Sequence, residues 1–281
     1  MIWWYLILPK TIGVIVPGYN VSVFGAETLR TIINASLTSN NTSIVIVAID
    51  DHSADGTLSA FCEIQNEFSN HPIKDVSIEV ISHVTRMGFS RAILSGLEQI
   101  LRTTPTCDLV VVFPGNDQID QSSISQLFDN SLPSTVSLGY RMNKLQERPF
   151  FKWLPSIILQ QISRWLVFPS IKDLTGQFVV PPHLFLQAVK DDPGHAWSVK
   201  LTSLILQSEL PITQMPIYLK KGFKKRPRNQ GFRQYPRLSD MAQYIRSLLS
   251  EFTYLAKTHQ LGKIKNRQIK TIDSISLKRK T

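Results

Sequence analysis

Four short runs of apolar, mostly β-branched residues recur in the first 113 residues and alternate with stretches of helical spacing. The runs are residues 12–16, 44–49, 76–81 and 109–113, and the stretches between them are residues 27–37, 58–68 and 90–101. Short, nearly continuous apolar runs are typical of strands buried on both faces of a parallel sheet, with helices as crossovers. The pattern therefore predicts an α/β fold with a mostly parallel sheet flanked by helices.

Polar residues follow each of these runs, where the predicted strands end. The segments that follow are residues 17–20, 50–53, 82–88 and 114–117. In open α/β sheets, ligands bind beyond the carboxyl ends of the strands. We therefore predict that these segments line a ligand site at one edge of the sheet.

Charge is divided unevenly along the chain. Residues 1–140 carry 6 basic and 13 acidic side chains, whereas residues 141–281 carry 25 and 8, so the net charges are −7 and +17. This asymmetry predicts an anionic partner for the second half, which can be nucleic acid, a phosphorylated ligand or an anionic membrane surface.

The second half has a different pattern. Residues 150–168 form an apolar, aromatic-rich stretch with polar interruptions, which favours one or two amphipathic helices over a membrane span. Further elements are predicted as strands at 177–180 and 212–219 and helices at 196–207 and 238–255. Residues 220–237 hold eight basic side chains and no acidic one, and the basic tail from residue 257 is predicted to be partly disordered.

The most specific segment of the chain follows the second run. Asp50 and Asp51 end the predicted strand, and a turn with Ser53 and Asp55 leads into a helix. Carboxylates in such a turn can accept hydrogen bonds from the N–H of a nucleotide base or from ribose hydroxyls. Alternatively, Ser53 and Asp55 only cap the helix. The cap alone does not account for the two adjacent aspartates.

Three segments together resemble the nucleotide-binding half of family 2 inverting glycosyltransferases, which have the GT-A fold. In chain order they are Ile15-Val16-Pro17-Gly18-Tyr19-Asn20, Asp50-Asp51-His52-Ser53-Ala54-Asp55-Gly56-Thr57 and Arg86-Met87-Gly88-Phe89-Ser90-Arg91-Ala92. Further on, Gly139-Tyr140-Arg141 resembles the Gly-x-Arg motif of the family. The segment Asp173-Leu174-Thr175-Gly176-Gln177-Phe178 resembles the Asp-Leu-Thr-Gly-x-Phe of dolichyl- and polyprenyl-phosphate glycosyltransferases.

The resemblance implies a domain organisation. Residues 1–235 would form the GT-A domain, with a nucleotide-sugar-binding half at residues 12–120 and an acceptor half at residues 121–235. Residues 236–281 would then form a C-terminal helix and a basic tail.

The resemblance also implies a nucleotide site at the ends of the first three strands. Asp51 would accept a hydrogen bond from the base, and Asp50 would support the ribose. The remaining residues would line the nucleotide or lie beside it: Pro17, Tyr19, Asn20, Arg86 and Gly88.

A departure from the family occurs at its metal site. The family places Asp-x-Asp-x-Gln after the fourth strand, where Mg²⁺ or Mn²⁺ neutralises charge on the departing nucleotide. The corresponding run here is Pro114-Gly115-Asn116-Asp117-Gln118, in which proline offers no ligand. The resemblance implies that Asn116, Asp117 and Gln118 hold the ion, with weaker binding because they carry fewer charges. Alternatively, the run is a β-turn without an ion.

In the acceptor half, the resemblance implies that Arg141, Lys152 and Ser156 bind an acceptor phosphate. The family usually has an arginine at the position of Lys152. Asp173 is the candidate base if the acceptor is a hydroxyl, and Arg226 lies where the family has a mobile loop with an arginine. Arg141, Asp173 and Arg226 are the predicted catalytic residues. Alternatively, Lys152 reaches solvent from an amphipathic helix, Asp173 caps a turn, and the loop is merely solvated.

The function implied is inverting transfer of a hexose from a UDP- or GDP-sugar to a polyprenyl phosphate. The alternatives are transfer to a cell-surface glycan or lipopolysaccharide, or a catalytically impaired relative that binds nucleotide sugar or membrane. The expected partners are the donor, a lipid-phosphate or glycan acceptor and an anionic membrane surface, with the protein cytoplasmic and peripheral. Nucleic acid is not expected, because no nucleic-acid-binding fold accompanies the basic residues.

Overall fold

The protein, described by a computed structural model, forms a central β-sheet with helices on both faces. The structure describes residues 10–39, 41–73, 75–143, 146, 150–191, 197–222 and 238–272. In these ranges, no helix is long and apolar enough to cross a membrane. The predicted α/β class is confirmed.

The elements follow in chain order within the described residues. The strands are β1 Lys10–Gly18, β2 Thr42–Asp50, β3 Val76–Ser82, β4 Leu109–Val112, β5 Val136–Arg141, β6 Gln177–Val179, β7 Ile212–Ile217 and β8 Lys270–Thr271. The helices are α1 Ser22–Leu37, α2 Thr57–Asn70, α3 Phe89–Thr103, α4 Gln121–Asn130, α5 Phe150–Leu166, α6 Pro182–Asp191, α7 Trp197–Gln207, α8 Leu238–Lys257 and α9 Leu261–Lys265.

The first half of the sheet is parallel, in the order β3-β2-β1-β4. Successive residues of a strand point to opposite faces, so an apolar run supplies two cores. In β1, Ile12 and Val14 join a core beneath α1, α2 and α4, while Ile15 joins a core beneath α3, α6 and α7. Burial on both faces is therefore the reason that the runs of β1, β2 and β4 are almost entirely apolar.

The second half of the sheet has the order β6-β5-β7-β8, with β6 antiparallel to β5 and the other pairs parallel. Two backbone hydrogen bonds between Val110 of β4 and Val180, directly after β6, join the two halves. Because β6 is antiparallel to both neighbours, the carboxyl end of β5 and the start of β6 reach the same edge as the carboxyl ends of β1–β4. Both halves thus contribute side chains to one edge of the sheet.

Several elements were not predicted from the sequence, namely α4, β5, α6, α9 and β8. The apolar stretch at residues 150–168 forms one helix, α5. The C-terminal segment is integrated into the fold: Leu248 and Leu255 of α8 are buried in the core, and β8 pairs with β7. The tail predicted to be partly disordered therefore contributes a helix and a strand before residue 273.

Candidate active site

Asp51 lies directly after β2 and is 4% exposed. Its Oδ1 atom accepts hydrogen bonds from the Met87 backbone N–H at 2.8 Å and contacts His83 Nδ1 at 2.8 Å, while its Oδ2 atom accepts the Gly88 N–H at 2.8 Å. Gly88 has a φ of +91°, a left-handed conformation that favours glycine. Asp51 therefore fixes the loop between β3 and α3, and the structure brings together the predicted residues Asp51, Arg86 and Gly88.

His83 is a site residue that the sequence analysis missed. Its Nδ1 atom contacts Asp51, and its Nε2 atom lies 3.0 Å from Ser95 Oγ of α3. The imidazole thus bridges the carboxylate and the helix and holds Asp51 in one orientation. The available signal was its position: His83 follows β3 at the carboxyl edge of the sheet, where ligand-binding residues collect.

The turns after β1 and β2 are fastened to each other. The Asn20 N–H donates to Ser53 Oγ at 3.0 Å, and Asn20 Oδ1 accepts the Ala54 N–H at 2.9 Å. Asp50 is buried and accepts longer hydrogen bonds of 3.3 Å from the Ser53 N–H and from Ser82 Oγ. Asp50 and Asn20 are thus brought beside Asp51, and Ser53 connects the two turns rather than capping α2.

Asp55 does act on the start of α2, as the helix-capping alternative predicted. Its carboxylate accepts the Thr57 N–H at 3.0 Å and the Ser22 N–H of α1 at 3.1 Å. Burial opposes ionisation of Asp55, but the hydrogen bonds from Thr57 and Ser22 outweigh it, so the pKa of this carboxyl lies below its ordinary value. Asp55 therefore has a structural role: it links the starts of α1 and α2 close to Asp50 and Asp51.

Tyr19 and Arg86 form the exposed part of the predicted nucleotide site. The Arg86 guanidinium lies over the Tyr19 ring, 4.0 Å from its centroid, which is a cation–π contact. Tyr19 follows β1, whose last residues include Pro17, and Arg86 belongs to the loop that Asp51 holds. The guanidinium thus covers one face of the Tyr19 ring, and an aromatic ring with a cation next to it suits a nucleotide.

The predicted metal segment has a different geometry from an ion site. Asp117, 3% exposed and with a φ of +50°, is 2.5 Å from Lys220 Nζ and accepts a hydrogen bond of 2.9 Å from Thr31 Oγ1 of α1. Gln118 is also buried and has an interaction partner. Only Asn116 Oδ1, among the side-chain oxygens of these three residues, is buried without a hydrogen-bond partner in the described structure.

This donor set does not fit a divalent ion. Mg²⁺ and Mn²⁺ prefer several oxygen ligands that include carboxylates. The one carboxylate of the segment is neutralised by an ammonium group, and Pro114 supplies no side-chain ligand. Nor does the described part of the chain contain a group of three or more His, Cys, Asp or Glu side chains suited to a metal. The assignment of Asn116, Asp117 and Gln118 as ligands therefore stays a prediction without geometric support.

Arg141 and Asp173 form a buried ion pair at the edge of the second half. Arg141 Nε lies 2.8 Å from Asp173 Oδ2 and Nη2 lies 2.9 Å from Oδ1, so the contact is bidentate, and both side chains are 4% exposed. Asp173 Oδ1 also accepts the Thr175 N–H at 3.1 Å, as the turn-capping alternative predicted. Gly176 follows, where a Cβ atom would lie 1.9 Å from the Gly139 carbonyl oxygen, so only glycine fits there.

A cavity of about 200 Å³ lies between the two halves at this edge. Its lining combines residues of the first half with residues from β6, α6 and α7: Phe89, Val112, Pro114, Gln118, Thr175, Gly176, Gln177, Phe178, Phe185, Trp197 and Ser198. Gln177 is 6% exposed, and its Oε1 atom has no hydrogen-bond partner among the described residues. An apolar, aromatic wall with a few polar residues is typical of sites that bind an organic ligand.

Tyr244 of α8 contacts a residue that lines this cavity. It is a second residue that the sequence analysis missed. Its hydroxyl is hydrogen-bonded to Ser198, which lines the cavity, and to Ser163 of α5. Burial, and then the charge of Asp173, raise the pKa of the Tyr244 hydroxyl, so it stays protonated. Helix α8 thus supports the part of the cavity that the second half of the sheet provides.

Three predicted residues cannot be placed at the site. Positions 152 and 156 both lie in α5, one helical turn apart, but the side chains of Lys152 and Ser156 lie outside the described part of the structure. Arg226 also lies outside the described residues. Their assignments stay predictions.

Comparison with known proteins bears on the first half of the chain. Residues 13–128 match the family model for glycosyl transferase family 2. The family 2 match extends from β1 into α4 and contains Asp50, Asp51, Arg86 and the segment around Asp117. It supports a glycosyltransferase enzyme that binds a nucleotide sugar. A search of curated proteins finds no match.

Solved structures share the fold. Mannosyl-3-phosphoglycerate synthase from Rubrobacter xylanophilus aligns with a TM-score of 0.50 and 14% identity, over 92% of this chain and 77% of that chain. A mycobacterial protein aligns with a TM-score of 0.51 and 14% identity, over 87% of this chain and 75% of that chain. S. aureus TarS 1-349, in complex with UDP-GlcNAc, aligns with a TM-score of 0.48 and 17% identity, over 86% of this chain and 66% of its own length. The first two likenesses show the fold, and the predicted GT-A type is confirmed.

Proposed function

We propose that this chain is an inverting glycosyltransferase that moves a hexose from a UDP- or GDP-sugar to a polyprenyl phosphate. The observation that carries the proposal is the cavity at the sheet edge, whose wall contains Pro114 and Gln118 of the nucleotide half and Thr175 and Trp197 of the acceptor half. A donor bound across β1–β3 and an acceptor bound beside β5 and β6 would meet at this cavity.

The donor end of the proposal rests on the residues around Asp51. The Tyr19 ring offers a face for the base, and the Arg86 guanidinium offers positive charge to the diphosphate. Asp50 and Asp51 are buried and hydrogen-bonded within the protein, so they shape and hold the site. Asp51 Oδ2 makes a single hydrogen bond in the described structure, which leaves capacity for one from the base.

The state of the carboxylates favours a phosphate acceptor. Transfer to a hydroxyl requires a base to remove its proton, whereas a phosphate is already an anion at neutral pH. Each of the four carboxylates proposed for the site is engaged within the protein: Asp50 and Asp51 by backbone N–H groups, Asp117 by Lys220 and Asp173 by Arg141. A base is thus missing among them, which supports an acceptor that needs none.

The proposed reaction is a single displacement. An acceptor phosphate oxygen forms a bond to the anomeric carbon as the bond from that carbon to the diphosphate oxygen breaks. The nucleoside diphosphate leaves with the electron pair, and the anomeric configuration inverts. Catalysis would then come from positioning both substrates and from positive charge, with Arg141 proposed at the acceptor phosphate and Arg226 at the diphosphate or acceptor.

Peripheral membrane association, at the cytoplasmic face, belongs to the same proposal. Helix α5 exposes Trp165 (80% exposed) and Ile158, and the basic Arg164 lies beside the tryptophan. Exposed Trp beside a cation suits the interface of a bilayer, and the basic residues 220–237 suit anionic headgroups. A polyprenyl phosphate would be reached from such a surface.

Replacing Trp165 tests this association. We expect Trp165→Ala to lower cosedimentation with vesicles of anionic phospholipid by roughly fivefold, because it removes a large apolar side chain from the interface. Leu132→Ala is the matched control, since Leu132 is also exposed but lies in the turn between α4 and β5. Equal cosedimentation of both variants and the unaltered protein would argue against α5 as the membrane-facing element.

A panel of acceptors tests the proposed function. The protein is incubated with UDP- and GDP-hexoses and with a short polyprenyl phosphate, the matching polyprenol or a soluble glycan. Transfer to the phosphate but not to the polyprenol is expected, because only the phosphate reacts without a base. Transfer to the glycan instead would show that the acceptor is a glycan and not a polyprenyl phosphate. Nucleotide-sugar binding without any transfer would indicate a binding protein.

A further inference from the structure

The ion pair between Asp117 and Lys220 joins two distant parts of the chain. Lys220 Nζ lies 2.5 Å from Asp117 Oδ1 and 2.9 Å from Thr31 Oγ1. The Asp117 N–H donates to Thr28 Oγ1 at 2.9 Å, so both the backbone and the carboxylate of Asp117 are directed to α1. The carboxylate that a divalent ion would need is therefore held by an ammonium group.

The position of Lys220 is fixed by its backbone. The Lys220 N–H donates to the Gln118 carbonyl at 3.0 Å, and the Asp120 N–H donates to the Tyr218 carbonyl at 3.0 Å. Between these bonds, Ile119 and Leu219 form an antiparallel bridge, and both are buried. The ammonium thus reaches Asp117 from a short paired segment rather than from a free loop.

A cation held in this way competes with a metal ion for the same carboxylate. A lysine ammonium is a compact positive charge, and a divalent ion bound at the same oxygen would be repelled by it. With Asp117 neutralised, the segment has no carboxylate left for the ion, and its remaining side-chain oxygens, on Asn116 and Gln118, are neutral amides.

We propose that Lys220 takes the place of the divalent cation beside Asp117, so that this chain binds its nucleoside diphosphate without a metal ion. The proposal rests on the nucleotide-binding part of the proposed function. Lys220 is a positioning residue in it: its ammonium keeps Asp117 and the turn after β4 in place next to the cavity. Cationic side chains then neutralise the negative charge of the diphosphate. Among the described residues, Arg86 is one such side chain.

The first part of the test measures UDP and GDP binding by calorimetry, in EDTA and in saturating Mn²⁺. Affinities that agree within about twofold in the two buffers are expected. Lys220→Met should lower the affinity in EDTA by roughly tenfold, and Mn²⁺ should restore part of it, because Asp117 is then available to the ion. Lys190→Met is the control, since Lys190 is exposed at the end of α6 and should bind as the unaltered protein does. A tenfold or larger loss of affinity in EDTA for the unaltered protein would overturn the proposal.

The second part needs no nucleotide and separates the two proposals. Thermal unfolding is followed with Mn²⁺ alone, and the expected midpoint of the unaltered protein does not change. Lys220→Met should unfold at a lower temperature and should be stabilised by Mn²⁺. Stabilisation of the unaltered protein by Mn²⁺, equal to that of the variant, would contradict the replacement of the ion by Lys220. Failure of UDP and GDP to bind in either buffer would instead reject the proposed function, while the unfolding data still decide the role of Lys220.

Discussion

Replacing Asp51 by asparagine is expected to lower the free energy of unfolding by about 3 kcal/mol and to weaken nucleotide binding by at least roughly 100-fold. Asp51 accepts the N–H groups of Met87 and Gly88 in a buried position. An asparagine amide presents donors to at least one of these groups, so a buried N–H loses its partner. The loop that carries Arg86 then loses its anchor, and the contact between Arg86 and Tyr19 is lost with it.

The measurement combines urea unfolding with calorimetry of UDP and GDP. Asp75→Asn is the matched control, because Asp75 is an exposed aspartate in the turn before β3 and undergoes the same chemical change. The control should bind and unfold like the unaltered protein. If Asp51→Asn lost stability but bound nucleotide with unchanged affinity, Asp51 would be a structural residue alone and the nucleotide site would lie elsewhere.

Breaking the pair of Arg141 and Asp173 is expected to have the second large effect. Either Arg141→Met or Asp173→Leu alone should lower the free energy of unfolding by about 3–5 kcal/mol, because each leaves an uncompensated charge in a buried site. The double variant should be less destabilised than the sum of the two, since it buries no charge. Transfer activity should be absent in Arg141→Met and in the double variant if Arg141 also serves the acceptor phosphate.

Stability and activity together separate the two roles of this pair. Arg30→Met and Glu67→Leu provide the control cycle, because that ion pair is exposed and a surface pair contributes little. Recovery of stability in the double variant with activity still lost is the expected outcome. Recovery of both would show that Arg141 acts only on the scaffold.

The sequence was informative wherever local pattern and burial coincide. Strands β1, β2 and β3 were predicted to within two residues at each end. In β1 and β2 the reason is burial on both faces, which makes a strand apolar along most of its length, whereas β3 is only partly buried and alternates apolar residues with Ser77 and Glu79. The position of Asp50 and Asp51 followed from the same reasoning, since they end β2 at the edge where ligands bind. Helix α4 escaped prediction because it is short, and seven of its ten residues are polar serine, glutamine, aspartate or asparagine.

The contacts of the site that the sequence did not predict join residues far apart in the chain. Lys220 meets Asp117 across 103 positions of sequence, so neither residue has a local signal of the pair. His83 reaches Asp51 across 32 positions, and strand β8 has only two residues, too few for a periodic pattern. The positive φ of Asp117 is also a property of the folded turn, which the sequence does not show.

The measurement that tests the central claim most directly is an NMR time course of the anomeric signals of a UDP- or GDP-hexose with protein and a short polyprenyl phosphate. The account predicts that the donor signal falls only when the acceptor is present and that one nucleoside diphosphate appears for each sugar transferred. The transferred sugar should have the opposite anomeric configuration. Retention of configuration, or no consumption of any donor with any acceptor, would contradict the account.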